Sequence, residues 1–372
     1  MPGPVRPRRT GPDQPTPPVV AVTGAGSGAG AAVLAQLARS SRIARVVGVD
    51  TAVAAPPEGG AEAATVSWHE VDVLDPRLTE VFAGVTAVAH LAVDLTPDAD
   101  RAGQRLRNTR AAQTVITAAF AAGVRRVVVV SSALAYGAYP DNPVPLGDDA
   151  PLRAVPEASV VGDLLEVERI AAGSRRSHRG LSVTVLRPAV VLGAGDREPM
   201  AALLSAPRLL RIRGAATRWQ FCHVADLAAA VEVAALAPAG ILDGPANVAC
   251  EGWLTHDELE EVSARRSLEL PERVAVGTAE RLHRLGLTPA PPSELAYLVH
   301  PWVVDTARLR AAGWKPAHTN AEAVADHLAG RTADRGRGVR IDARGATAAA
   351  GAAVALVGTA ALVRRARRRR SG

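Results

Sequence analysis

Short aliphatic runs alternate along this chain with longer stretches in which apolar residues recur at helical spacing. The runs at 19–23, 45–50, 64–68, 86–91, 127–130 and 181–186 are predicted as strands, with 247–249 as a short edge strand. Between them the pattern predicts helices over 28–40, 76–82, 101–122, 159–172, 226–236 and 255–264. Gly123 is placed as the residue that stops the third helix, and Thr255 with Glu258 reads as a capping box opening the last. The run Val127-Val128-Val129-Val130 offers no polar face, as expected of parallel strands covered by helices on both sides. Strands and helices alternating in this order predict an α/β fold, a doubly wound parallel sheet.

Composition sets the limits of that picture. With 372 residues, 48 % of them hydrophobic, the chain can bury one large domain together with a smaller lobe. Residues 1–17 contain six prolines and no apolar stretch of signal-peptide length, and read as a disordered arm on a protein expected in the cytosol. The folded body is expected over 18–330, followed by a linker at 331–344. The 19 uncharged residues at 345–363 are long enough to cross a bilayer but poor in Leu, Ile and Phe. Membrane insertion or interfacial attachment stands there beside a solvated Ala-rich helix or a disordered tail. A basic tail occupies 364–372 and would be drawn to anionic lipid.

The formal charge of +6 is carried by these ends: residues 1–17 hold +2, 331–344 hold +3 and 364–370 hold +6, which leaves the body at −5. A nucleic-acid partner is therefore not expected. The two cysteines, Cys222 and Cys250, read as small buried hydrophobes of a reducing compartment, and no metal site is predicted.

The first strand runs into Thr23-Gly24-Ala25-Gly26-Ser27-Gly28-Ala29-Gly30, and Asp50 closes the second strand twenty residues later. Gly24, Gly28 and Gly30 allow a tight turn and a close approach of backbone to a pyrophosphate, whose charge is met by the free amides at a helix N-terminus. Asp50 can accept both hydroxyls of an adenosine ribose and would repel a 2′-phosphate, which favours NAD over NADP. Strand, glycine loop, helix, strand and acid in this order are the dinucleotide fingerprint of a Rossmann-type sheet.

One feature of the composition opposes an ordinary dehydrogenase. The chain has 42 arginines and a single lysine, Lys315, with tyrosines only at 136, 139 and 297. No tyrosine stands four residues before Lys315, where Ala311 lies.

With these pieces placed, residues 18 to about 330 resemble the extended branch of the short-chain dehydrogenase/reductase superfamily, the nucleotide-sugar epimerases and dehydratases. Ser27 departs from the branch, which has glycine there, and the loop follows the spacing of the single-domain branch instead. Asp72 and Val73 stand where the family binds the adenine amine, Leu91 and Ala92 where the chain passes under the nicotinamide ribose, and Asn108 matches an asparagine that anchors the central strands. Thr23 begins the glycine motif. Ser131-Ser132-Ala133-Leu134-Ala135-Tyr136-Gly137 resembles the family's Ser-Ser-x-x-x-Tyr-Gly, which implies Ser132 as the hydroxyl that bonds a substrate oxygen. The next helix is recognisable from Leu165-Glu166-Val167-Glu168, and it puts Val160 in the family's tyrosine place and Leu164 in its lysine place.

Neither side chain can move a proton. Tyr136 or Tyr139 is then a candidate replacement acid, Asp163 or Glu166 a candidate pocket carboxylate, and Arg211, Arg213 and Arg218 candidate ligands of a substrate diphosphate. The resemblance implies a substrate lobe built from about 190–220 and 250–316, NAD as cofactor, and a small-molecule substrate such as a nucleotide sugar. It also implies a homodimer through the helices at 101–122 and 159–172. Two functions follow: an NAD-dependent oxidoreductase or epimerase with altered or weak catalysis, or a non-catalytic NAD-binding sensor or scaffold.

Overall fold

In the computed structural model the described residues are 17–336, apart from 27, 53–63, 92, 96–99, 195–198, 205, 239 and 286–289. The expectations for the N-terminal arm before Thr16's successor, for 345–363 and for the basic tail lie outside them, as does the one for Ala92. Among the described residues no helix is long and apolar enough to cross a membrane.

The chain begins with β1 (Val19–Thr23), α1 (Gly28–Ala38), β2 (Arg45–Asp50), β3 (Thr65–Glu70), α2 (Leu78–Val81), β4 (Ala87–His90), α3 (Arg101–Ala121) and β5 (Arg126–Val130). A 3-10 turn, Ala133–Tyr136, precedes α4 (Val160–Ser177) and β6 (Ser182–Pro188). The chain then departs through β7 (Val190–Leu192), α5 (Pro199–Leu204), β8 (Leu209–Ile212), β9 (Arg218–Trp219) and β10 (Phe221–His223). It returns with α6 (Val224–Leu236) and β11 (Gly244–Val248) before a second excursion through β12 (Leu254–Thr255), α7 (His256–Ser263), β13 (Ser267–Leu270) and α8 (Glu272–Arg284). The last helices among the described residues are α9 (Ala307–Ala311) and α10 (Asn320–Gly336), so α10 extends six residues into the stretch expected as a linker.

Seven strands form one sheet in the order β11-β6-β5-β4-β1-β2-β3, and every pairing is parallel. Alternation along the strands explains why it is covered twice. In β1, Val20 and Val22 pack into one apolar cluster with Val33, Leu34 and Leu37 of α1, while Ala21 enters a second cluster with Val115 and Ile116 of α3. In β5, Val128 takes the first cluster and Val127 with Val129 the second. Each face is thus dry, and the apolar run that gave no periodicity is the signature of that burial. Helices α1 and α6 pack together in the first layer and α3 and α4 in the other.

The strand order reverses between β1 and β4, which opens a crevice above the carboxyl ends of the strands. The two excursions join one another, because β8 pairs with β13 and β9 with β12. Local signals hold these elements in place. Ser159 Oγ accepts from Gly162 N at the start of α4, and Thr255 and Glu258 form the expected reciprocal cap of α7.

Candidate functional site

The crevice is a cleft of about 690 Å³, within the size range of small-molecule and cofactor pockets. Gly24, Gly26, Gly28, Gly30 and Asp50 line it on the β2 side of the switch point, and Ser131, Ser132, Pro188 and Leu227 on the other; Asp72, Val73, Leu91 and Asn108 also face it.

The glycine turn is shaped by contacts that admit no side chain. Gly24 has φ +77° and Gly28 φ +58°, both in the left-handed region. A Cβ on Gly30 would lie 1.8 Å from the Gly24 carbonyl oxygen, and one on Gly26 would lie 2.9 Å from the Ala52 carbonyl oxygen and 3.0 Å from Asp50 Oδ2. Gly24 N–H donates to Val49 O at 3.0 Å and Gly26 N–H to Asp50 Oδ2 at 2.8 Å, which ties the turn to the end of β2. Asp50 Oδ1 accepts from Thr51 N at 2.7 Å. A carboxylate has about four acceptor positions, so Asp50 keeps capacity for a ribose hydroxyl. A bare turn, a helix N-terminus and an acid at the neighbouring strand end fit a dinucleotide.

The other predicted contacts divide. Asp72 lies on the wall, its Oδ1 accepting from Leu74 N at 2.8 Å, and Val73 and Leu91 line the wall beside it. Asn108 is buried and clamps the segment after β4: its Oδ1 accepts from Asp94 N at 3.0 Å and its Nδ2 donates to Asp94 O at 3.1 Å. The same amide reaches Asp163 Oδ2 at 3.2 Å, so this asparagine joins α3, α4 and the crossing loop. Thr23 is off the wall; its hydroxyl is 2.8 Å from Nδ1 of the buried His90. Burial pushes that imidazole down to about 4, which keeps it neutral at physiological pH.

At the end of β5, Ser132 reaches the wall and its Oγ accepts from Leu134 N at 3.3 Å, capping the 3-10 turn while its own O–H remains able to donate. Ser131, which drew no attention in the sequence beyond its place in the Ser-Ser pair, also faces the cleft.

Tyr136 does not. Its hydroxyl lies 2.8 Å from Asn247 Oδ1 and accepts from Arg187 Nη1 at 2.8 Å, and Arg187 is in turn paired twice at 2.8 Å with the buried Glu168. Burial raises the phenol pKa, against the nearby Arg187 charge. The tyrosine expected as a replacement acid is thus part of a polar junction that joins the 3-10 turn to the ends of β6 and β11. Tyr139 donates to Arg153 O at 2.7 Å and Tyr297 to Leu134 O at 2.6 Å, so each tyrosine hydroxyl of the chain is engaged within the fold. Val160 and Leu164 are buried apolar residues of α4, and Lys315 is exposed before α10.

Asp163 is fully buried rather than facing the cleft, with Arg101 Nη2 at 2.9 Å from its Oδ2. Burial raises its pKa, opposed by the Arg101 charge and the bonds from Arg101 and Asn108. Glu166 pairs with Arg169 instead. The candidate diphosphate ligands are also used elsewhere: Arg211 pairs with Asp257 at 2.6 Å, Arg213 with Glu269 at 3.0 Å, and the Arg218 guanidinium lies over Trp253. Sequence alone could not find these partners, since each lies dozens of residues away.

Cys222 and Cys250 are both buried and neither is in a disulfide, and burial pushes the Cys250 thiol up to about 11. His223, His318 and Asp326 converge, but the two imidazoles are stacked with centroids 3.8 Å apart and planes 25° from parallel. Lone pairs lying in nearly parallel planes do not meet at one ion; His223 Nε2 lies 3.8 Å from Asp326 Oδ2 and His318 Nδ1 3.1 Å from Asp226 Oδ1.

Residues 20–249 match the NAD dependent epimerase/dehydratase family. The chain belongs to that family. An uncharacterized protein of Mycobacterium tuberculosis, Rv0501, is 29 % identical over 324 residues, covering 85 % of this chain and 84 % of its own. Among solved structures, MoeE5 in complex with UDP-glucuronic acid and NAD superposes with a TM-score of 0.65 at 21 % identity, over 84 % of this chain and 99 % of that one. UDP-glucose 4-epimerase of Thermotoga maritima with UDP-glucose gives 0.62 at 17 % identity, over 85 % and 99 %. DesIV, the dTDP-glucose 4,6-dehydratase of Streptomyces venezuelae with NAD bound, gives 0.62 at 20 %, over 86 % and 98 %. NAD is the cofactor of the NAD dependent epimerase/dehydratase family.

Proposed function

We propose that this chain binds NAD in the cleft between β1 and β4 and acts, with altered or weak catalysis, on a nucleotide sugar or a similar alcohol/carbonyl pair. The observation that carries the reading is the Gly24–Gly30 turn held to Asp50, a cradle that a single Cβ would fill, continuous with a cleft that ends at Ser132. Likeness in fold to proteins solved with UDP- and dTDP-sugars supports the substrate class.

When bound, NAD supplies a hydride acceptor or donor. The chain's own residues orient it: Asp50 receives a ribose hydroxyl, the amides at the N-terminus of α1 face the phosphates, and the Ser132 hydroxyl, whose lone pair is held by Leu134 N–H, donates to the substrate oxygen. A proton must still leave or join that oxygen as the carbon changes oxidation state. With Val160 and Leu164 in the places of tyrosine and lysine, water in the open cleft carries it, and the rate lacks the roughly 10²- to 10⁴-fold of a positioned acid–base group.

A second reading, NAD binding without turnover, is favoured by the engagement of Tyr136, Tyr139 and Tyr297 within the fold. Incubating the purified chain with NAD and a panel of UDP- and dTDP-sugars, with product followed by chromatography, separates the two. Slow turnover that Ser132→Ala abolishes supports the enzyme; saturable NAD binding with no product from any sugar supports the sensor.

A further inference from the structure

Two imidazoles meet beside the cleft without lining it. His223 closes β10 and is the N-cap of α6, and its ring stacks on that of His318, in the turn before α10, with centroids 3.8 Å apart. Each ring has a separate task. His223 Nδ1 accepts from Ala225 N at 3.2 Å and so satisfies one of the free amides at the start of α6. An accepting nitrogen carries no proton, so the cap needs the neutral ring with its hydrogen on Nε2. His318 Nδ1 lies 3.1 Å from Oδ1 of Asp226, a carboxylate only 2 % exposed that also accepts from Ala317 N at 2.9 Å and His318 N at 3.1 Å. Through Asp226 the 317–318 turn is fastened to α6.

The stack accommodates one proton and not two. A proton on His318 faces Asp226 and rests against a neutral ring, whereas a second, on His223, puts two like charges 3.8 Å apart and removes the lone pair that caps α6. The other groups around the pair do little to offset this. Asp326 of α10 is largely exposed, with its Oδ2 3.8 Å from His223 Nε2; Glu322 of α10 is exposed and accepts from Thr319 N and Oγ1 at 2.8 and 2.9 Å; the Cys250 thiol just beyond β11 is neutral. Burial first, then the His318 ring, hold the His223 pKa below its ordinary value, the direction these contacts require.

The pair also touches the edge of the cleft from behind. His223 is the partner of Leu192 in the β7–β10 ladder, and Val191 and Ala194, to either side of the Leu192-Gly193 step, line the cleft. Gly193 lies so close that a Cβ there would come 2.9 Å from Val224 Cγ1 and 3.5 Å from His223 Nε2. Leu227, one turn into the helix that His223 caps, is a wall residue too.

We infer that the His223–His318 stack is an acid-sensitive latch: with no more than one proton it holds the turn before α10 to the start of α6, and a second proton opens it and loosens the Val191–Ala194 edge of the cleft. This goes beyond the NAD reading and stands whether or not the cleft takes NAD.

The test follows the full chain without ligand as pH is lowered. Folded His223 resists the proton that an unfolded histidine takes up at about 6.5, so the latch contributes fully above that pH and its contribution is lost as pH falls below it. His223→Asn puts a capping oxygen in place of Nδ1 and cannot titrate. Between about pH 7.5 and about pH 5.5 the wild-type melting temperature should fall by about 2 °C or more beyond the fall in His223→Asn. Over the same range, hydrogen exchange of the 190–194 and 224–228 segments, corrected for its intrinsic pH dependence, should rise severalfold in the wild type and stay level in the variant. In the histidine ring resonances, His318→Asn should move the His223 titration to higher pH, because the opposing charge is gone. Melting temperatures that fall in parallel, exchange that rises equally in both proteins, or a His223 midpoint that His318→Asn leaves in place or lowers, overturns the latch. If His223→Asn does not fold, the ring titration decides by itself.

Discussion

Replacing Gly30 with alanine should separate the demands of the cradle from those of the helix that carries it. The new Cβ would lie 1.8 Å from the Gly24 carbonyl oxygen and 2.7 Å from its carbon, both backbone atoms with no rotamer to change. The turn would have to retreat by roughly 1 Å, an overpacking that costs about 1–3 kcal/mol. That movement also stretches Gly24 N–H to Val49 O and Gly26 N–H to Asp50 Oδ2, now 3.0 and 2.8 Å. At about 1 kcal/mol for each of these bonds, the total loss of stability is roughly 3–5 kcal/mol, a large part of what a typical domain has. Affinity for NAD should fall further, at least about a hundredfold, because the shifted turn moves the N-terminus of α1 away from the phosphates and Asp50 away from the ribose. Urea unfolding and calorimetry read the two effects separately. Gly173→Ala in the middle of α4 is the control: its Cβ meets no heavy atom within 4 Å, so alanine should stabilise by about 0.5–1 kcal/mol through helix propensity. A Gly30→Ala protein with the wild-type urea midpoint and wild-type NAD affinity would refute the account of the cradle.

Three other outcomes follow from the packing. Glu168→Ala strands the buried Arg187 guanidinium and should cost about 3–5 kcal/mol in urea unfolding, while converting both residues to leucine should recover much of it; a single variant within 1 kcal/mol of wild type would contradict the pairing. Glu294 lies in a smaller pocket beside Glu157, and burial first, then the Glu157 charge, push its carboxyl from 4.5 up to about 7. The folded state keeps this proton to higher pH than the unfolded chain, so the group's contribution is full below about 4.5 and is lost as pH rises through about 7. Glu294→Gln should therefore gain on the order of 3 kcal/mol relative to wild type across that window, and a difference that does not vary with pH would sink the assignment. Asp50→Ala removes the acceptor of Gly26 N–H as well as the ribose acceptor, and should weaken NAD by more than about tenfold in calorimetry; an unchanged affinity would exclude adenosine from that end of the cleft.

The order of the seven sheet strands and of the helices that cover them, the glycine turn, Asp50 and the absence of a Tyr-x-x-x-Lys pair were legible in the sequence, because each depends on neighbours in the chain or on a simple census of residue types; the short strands of the two excursions and the helices at 199–204, 272–284, 307–311 and 320–336 were not. Apolar runs without periodicity reported two covered faces, and a strand running into glycines reported a turn with no room for Cβ. Where local pattern weakened, boundaries moved: the helix expected over 159–172 continues to Ser177, since its polar last turn has no apolar stripe to betray it. Only the tertiary structure could decide what each polar side chain is for. Tyr136 and Ser131 stand five residues apart in one motif, yet Tyr136 spends its hydroxyl on Asn247 and Arg187, 111 and 51 residues distant, while the buried Ser131 hydroxyl has no partner among the described residues. Sequence spacing fixes direction within a helix or strand, but a hydrogen-bond partner is a matter of distance in space, and that distance is set by how the sheet brings remote strand ends together.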